Sequence, residues 1–190
     1  MEFPKTATDK ERATNWPKIA EIKDGNFGFD TPKPKTGKTR FCTRILLKNE
    51  KNQFCVVRSE KYGFIQLPGG GIEEGESITE ALKREAREET GWLITDIQPI
   101  GYTLEHRNDI RNVHPYDQSL SYAFSASPVE FVGTEYMEDE IEVGFAPVWM
   151  TLDEIIAELK QSEGHIESYS GCFSNRRDLS IANHYATKPA

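Results

Sequence analysis

A chain of 190 residues and 21.6 kDa, with 37% hydrophobic, 11% aromatic and 28% charged residues, is long enough to bury one full core and too short for two large ones. No stretch approaches the roughly 18 consecutive apolar residues of a membrane span, and the polar start MEFPKTATDKERATNW carries no secretory signal, so a cytoplasmic protein is expected. A net charge of −8 disfavours broad binding to nucleic acid or membrane, and three cysteines (Cys42, Cys55, Cys172) without a CxxC spacing indicate neither a disulfide framework nor a zinc site.

The charge is unevenly spread. Residues 1–44 hold ten Lys and Arg against six Asp and Glu, which leaves the remainder at −12. Pro4, Pro17, Pro32 and Pro34 interrupt any long helix or central strand, so residues 1–37 read as a mildly basic extension lying on the domain or on a second subunit of a homodimer. Only the patch from Trp16 to Ile22 has the apolar content to pack. A basic arm gripping RNA is the sharper reading, and a solvated linker is the commoner one.

From Phe41 the pattern changes. Phe41 to Leu47 and Phe54 to Arg58 are apolar, β-branched runs joined by a polar turn, which predicts an antiparallel hairpin. Cys55 then faces the Arg44–Leu47 region, away from Cys42, and both read as buried hydrophobes. Further strands are expected over Trp92–Tyr102, Leu120–Ser127 and Phe145–Met150. A helix is expected over Leu152–Lys160 and a last one within Phe173–Tyr185, where Leu179, Ala182 and Tyr185 or Ala186 keep helical spacing.

The most informative segment runs from Leu67 to Trp92. A strand ends at Leu67-Pro68, three glycines follow, and Ser77 with Glu80 forms a capping box that opens a helix over about Ile78–Thr90, closed by Gly91. At 100° per residue Ile78, Ala81, Leu82 and Ala86 form its apolar stripe, yet Glu85 and Glu89 fall on that stripe and Glu88 at its border. On a wet surface such like charges cost a few tenths of a kcal/mol. In a partly buried cleft, two charges about 5 Å apart repel by roughly 3 kcal/mol at an effective dielectric near 20. Arg84 and Arg87 project to the far side of the helix, so neither is expected to serve all three acids. A hard divalent cation, Mg²⁺ or Mn²⁺, would. The glycines let backbone approach closely, so that Gly69 and Gly70 present amides and carbonyls to metal or phosphate oxygens.

Gly70, Glu76, Arg84, Glu85, Ala86, Glu88, Glu89, Gly91 and Trp92 stand at the spacing G-x5-E-x7-R-E-U-x-E-E-x-G-U, with U apolar. This pattern resembles the complete Nudix box and arises by chance on the order of once in a million chains this long. Trp92 is bulkier and Ala86 smaller than usual, and neither departure touches the chemistry. More loosely, the resemblance covers about residues 38–160, which leaves 161–190 as a carboxy-terminal helical segment packing on the domain.

The resemblance implies an α/β fold, an α/β/α sandwich with a mixed sheet, and metal-dependent hydrolysis of a nucleotide or nucleoside diphosphate derivative. By position, Glu85, Glu88 and Glu89 would ligate Mg²⁺ or Mn²⁺, with the Gly70 carbonyl as a further ligand. Arg84 would pair with Glu76 to hold the loop against the helix. Arg44 and Arg58, on the hairpin, are candidates for substrate phosphate. The other readings are an RNA 5′-end pyrophosphohydrolase and a catalytically idle module that binds a nucleotide to regulate a partner.

Two further groups are candidates. His106, Arg107, His114 and Tyr116 lie in a polar loop over Glu105–Gln118 that could line a base pocket. Glu138, Asp139, Glu140 and Glu142 cluster in an expected loop, where the resemblance implies an extra metal ligand or general base. Glu142 is favoured as the one nearest a strand, and Glu85 is the competing base. No subfamily marker fixes the substrate.

Overall fold

The computed structural model describes residues 16–29, 38–107, 117–166 and 168–187, with only the main chain described at Asp139. Within them seven strands form one mixed sheet: β1 (Lys18–Lys23), β2 (Thr39–Lys48), β3 (Gln53–Ser59), β4 (Ile65–Gln66), β5 (Trp92–His106), β6 (Gln118–Phe131) and β7 (Phe145–Thr151). Their order is β1-β5-β6-β2-β3-β4, with β7 also paired to β3. The β1–β5 and β2–β6 pairs are parallel and the rest antiparallel.

Alternation along the strands sorts the side chains to two faces, as a period of two requires. Ile45, Leu47, Cys55, Leu120, Tyr122 and Phe124 pack beneath helix α1 (Ile78–Glu85), which supplies Ile78, Leu82 and, just past its end, Ala86. Leu46, Phe54, Val56 and Ala123 face the other way, toward α3 (Leu152–Ser162) and α4 (Tyr169–Ala186), which bring Ile155, Leu159, Leu179, Ile181 and Ala182. Helices therefore cover both faces, giving the expected α/β/α sandwich. Among the described residues no helix is long and apolar enough to cross a membrane.

The hairpin departs from its expected form in an informative way. β2 and β3 pair only at Leu47 with Cys55 and at Lys48 with Phe54, and then diverge. The edge of β2 that β3 leaves is taken by the glycine loop: Thr43, Ile45 and Ile72 amides donate to the Gly70, Pro68 and Phe41 carbonyls at 2.9 to 3.0 Å. β2 is thus bonded on one side to β6 over nine register positions and on the other to the loop. Register at the hairpin base sets Cys55 opposite Leu47, and all three cysteines are free.

The patch from Trp16 to Ile22 becomes an edge strand, β1, parallel to β5. Gly101 makes the approach possible: its φ is +156°, and a Cβ there would stand 2.5 Å from the Pro17 carbonyl oxygen. Trp16 packs edge-on against Tyr122 and Phe124, and Phe27 lies 4.9 Å from the Phe173 ring of α4. Where an acidic loop is expected, Glu138–Glu142 forms a short helix, α2.

Candidate active site

The loop from Leu67 to Ile72 is held so tightly that two of its glycines cannot be replaced freely. Gly69 has φ +131°, and a side chain there would collide with the Thr43 carbonyl. At Gly70 a Cβ would collide instead with the Glu85 carboxylate. The absence of side chains therefore lets main chain lie directly on the acids of the following helix.

That helix opens as its sequence dictates, with Ser77 Oγ accepting from the Glu80 amide and Glu80 returning the bond to Ser77. After Glu85 it widens into a π-helical turn, Ala86–Thr90, and closes at Gly91 in the left-handed conformation, φ +75°. The freed carbonyls of Glu88 and Glu89 accept from the Glu135 amide and the Tyr136 hydroxyl, both at 2.8 Å.

Glu85 and Glu89 are only 9% and 5% exposed. Burial raises the pKa of Glu85, against the opposing pull of Arg84. Burial likewise pushes Glu89 up to about 8, although the Gly69 amide donates to it at 2.6 Å and Arg44 attracts it. Arg84 is the local counter-charge. It donates to Glu76 at 2.9 and 3.0 Å, to Glu85 at 2.8 Å, to Glu88 at 3.1 Å and to the Gly71 carbonyl at 2.9 Å. The expectation that Arg84 projects away from the acids is thereby corrected. Its long stem curls back so that one guanidinium reaches two of the three carboxylates, a freedom that the angular position of a Cα does not capture. Glu76, bonded in addition to the Glu73 amide, is held below its ordinary pKa despite the upward push of burial.

As the side chains are placed, no group of three or more His, Cys, Asp or Glu among the described residues stands ready-formed around a common metal position. The donor chemistry nonetheless fits a hard cation: carboxylates only, two of them buried at an energetic cost, beside a loop of main-chain oxygens. The Gly70 carbonyl accepts from the Thr43 amide and keeps one lone pair.

Residues 38–171 match the NUDIX domain as a family. The chain belongs to the Nudix family. Among curated relatives, the Nudix match includes "8-oxo-dGDP phosphatase NUDT18" of Danio rerio, 49% identical over 59 residues, covering 30% of this chain and 17% of that protein. "Nucleoside triphosphatase NudI" of Salmonella schwarzengrund (strain CVM19633) is 51% identical over 47 residues, 24% of this chain and 30% of that protein. The matched stretches thus span less than a third of each curated relative. A solved NUDIX hydrolase from Nitrosomonas europaea shares the fold, with a TM-score of 0.56 at 20% identity over 78% of this chain and 89% of that one.

The remaining candidates divide by place. Arg44 stands beside the Nudix box: it donates to the Thr43 carbonyl at 2.6 Å and to the Gly69 carbonyl, and its Nε is buried without a hydrogen-bond partner. Arg58 is engaged in a two-pronged ion pair with Glu158 of α3, both bonds 2.8 Å. It lines a cavity of about 1490 Å³ walled by Tyr62, Phe64 and His165, with none of the three acids in its lining. Glu142 pairs with Lys61 at 3.1 Å on a side chain 76% exposed, whereas the charge of Glu140 reaches Glu89 and adds to its raised pKa. His106 faces Glu21 of β1 at 3.2 Å, and Arg107 is buried against Glu105. His114, Tyr116 and the Asp139 side chain lie outside the described residues.

Sequence reasoning missed a buried charged set on α4 and β5. Asp178 and Glu105 are fully buried, and Arg177 and Arg107 nearly so. Arg177 donates to Asp178 at 2.7 Å and lies 3.7 Å from Glu105, to which Arg107 also donates at 2.6 Å. Charged residues on the inner stripe of α4 were the available signal, since such residues are almost never buried unless paired.

Proposed function

We propose that this protein is a metal-dependent pyrophosphohydrolase that cleaves a nucleotide or nucleoside diphosphate derivative by attack of water at phosphorus. The observation that carries this reading is the burial of Glu85 and Glu89 against the Gly69–Gly70 main chain, with Glu88 beside them and Arg84 as their local counter-charge. Nucleotide phosphates named for the two curated relatives support the same substrate class.

Glu85, Glu88 and Glu89 would hold Mg²⁺ or Mn²⁺, with the Gly70 carbonyl as a further oxygen donor. When bound, the cation supplies charge to offset the phosphates and lowers the pKa of a water. Gly69 and Arg44 fix the depth of the loop beneath the substrate, and Arg84 with Glu76 pins that loop to the helix. For the proton, Glu85 and Glu140 are the favoured acceptors over Glu142: Glu85 lies in the cluster and Glu140 is within electrostatic reach of Glu89, whereas Glu142 is tied to Lys61 at the surface. A cytoplasmic location belongs to the same reading, supported by three free thiols.

A panel of nucleotides, sugar nucleotides and dinucleotides tests the proposal with and without Mg²⁺, read as phosphate or pyrophosphate released from the nucleotides and as the two phosphomonoester products formed from the others. Turnover of at least one compound that disappears on chelation is expected. Equal rates with and without the ion would overturn it.

A further inference from the structure

α4 lies beyond the Nudix box, yet one of its residues reaches the loop on which the acids rest. Leu67 is 1% exposed and immediately follows the two-residue strand β4, so its amide has no strand partner to meet. Asp178 supplies one: its Oδ2 accepts from the Leu67 amide at 2.9 Å. The other oxygen of the same carboxylate accepts from Arg177 Nε at 2.7 Å. Two residues along from Leu67, the Gly69 amide donates to Glu89. Between these bonds stands Pro68, whose ring fixes one of the two soft torsions, so Leu67 and Gly69 are joined by a short and stiff piece of chain.

A buried ion pair such as Arg177–Asp178 is weak evidence for stability, because well-packed apolar residues of similar size often serve as well or better. The bond from the Leu67 amide gives the pair another role. We propose that Asp178 is a positioning residue for the acid cluster: it sets the position of the Leu67–Gly69 main chain, and through the Gly69 amide the placement of Glu89. The bond from Arg177 Nε to the second oxygen of the carboxylate keeps Asp178 aimed. The inference rests on the reading of Glu89 as a cation ligand, and its test therefore has one readout that needs no cation and no substrate.

Asp178→Asn keeps the shape of the side chain and removes its charge. Because Arg177 would then face an uncharged partner, Arg177→Gln with Asp178→Asn serves as the second variant should the single one fail to fold. Glu105→Gln is the control, since Glu105 belongs to the same buried set and does not touch the loop. In cation-free protein, hydrogen exchange at the Leu67 and Gly69 amides is expected to quicken at least tenfold in the Asp178 variants and less than threefold in Glu105→Gln. Calorimetric titration with Mn²⁺ is expected to show at least tenfold weaker binding in the Asp178 variants alone. Unchanged exchange at Gly69 overturns the proposal, as does an equal effect of Glu105→Gln, which would mark general loosening of α4. If wild-type protein binds no Mn²⁺, the assignment of Glu89 as a ligand fails by itself, and exchange at Gly69 still decides whether Asp178 positions it.

Discussion

A single carboxyl carries much of the electrostatic tension in this site. Glu89 is pushed up to about 8 by burial, so in the cation-free protein it stays protonated where an exposed glutamate would ionise near 4.5. A raised folded-state pKa means stability that is fully present below about 4.5 and is lost as pH rises through about 8. Without divalent ions, the melting temperature of the wild type is expected to fall over that window, and Glu89→Gln is expected to flatten the fall while lowering turnover by several orders of magnitude. Parallel melting profiles in the two proteins would place the tension elsewhere. The position of Glu89 on the apolar stripe was legible from helical spacing, because burial follows from where the Cα lies. The reach of Arg84 was not, since three to four side-chain torsions separate its Cα from its charge.

Elements show the same division between what local pattern settles and what tertiary contact decides. The capping box, the Gly91 terminus and the apolar, β-branched runs of β2 and β3 were all legible, because each is written within a few neighbouring residues. The early parting of β2 from β3 was not, as it depends on the glycine loop bonding to β2 from some 25 residues further along the chain. Nor was α2, whose five residues carry too little periodicity to separate from a loop. Gly69 and Gly70 of the glycine loop are expected to respond differently to alanine. At Gly69 the new Cβ meets fixed main chain at Thr43 and the backbone sits at φ +131°, so Gly69→Ala should cost several kcal/mol of stability, read by denaturant unfolding. At Gly70 it meets the far end of the Glu85 side chain, which can swing aside. Gly70→Ala should therefore stay within about 1–2 kcal/mol of wild type, the cost of a lost hydrogen bond or two, yet lose most of its turnover. Equal stability losses would show that Glu85 is not free to move.

Over the whole molecule, β1 and the residues just after it pack against α4 at one edge of the sandwich. Ile22 is buried in β1, Tyr169 of α4 donates to Asp24 at 2.5 Å, and Phe27 packs on Phe173, so deleting residues 1–29 is expected to remove an edge strand and part of the α4 contact. At roughly 1.5–3 kcal/mol for each large apolar side chain unburied, and about 2–4 °C per kcal/mol at this chain length, a fall of some 10 °C or more in melting temperature should follow. An unchanged melting temperature would mark the segment as an ornament. The acidic body sets a stricter demand on any test of cation binding. With a net charge of −8, added Mg²⁺ or Mn²⁺ will screen repulsion and stabilise the fold wherever the ions sit, so a shift in the wild type alone identifies no site. A ligand held only by the native state contributes about 2.7 kcal/mol at a hundredfold excess over its dissociation constant, which is roughly 5–10 °C at this size. Glu89→Gln and Glu142→Gln make the same substitution, one in the buried cluster and one in the exposed pair with Lys61. Screening alone would make the two variants respond alike, whereas coordination by the helix acids predicts the full shift in Glu142→Gln and little of it in Glu89→Gln. Matching shifts in both would place the ion away from the Nudix box.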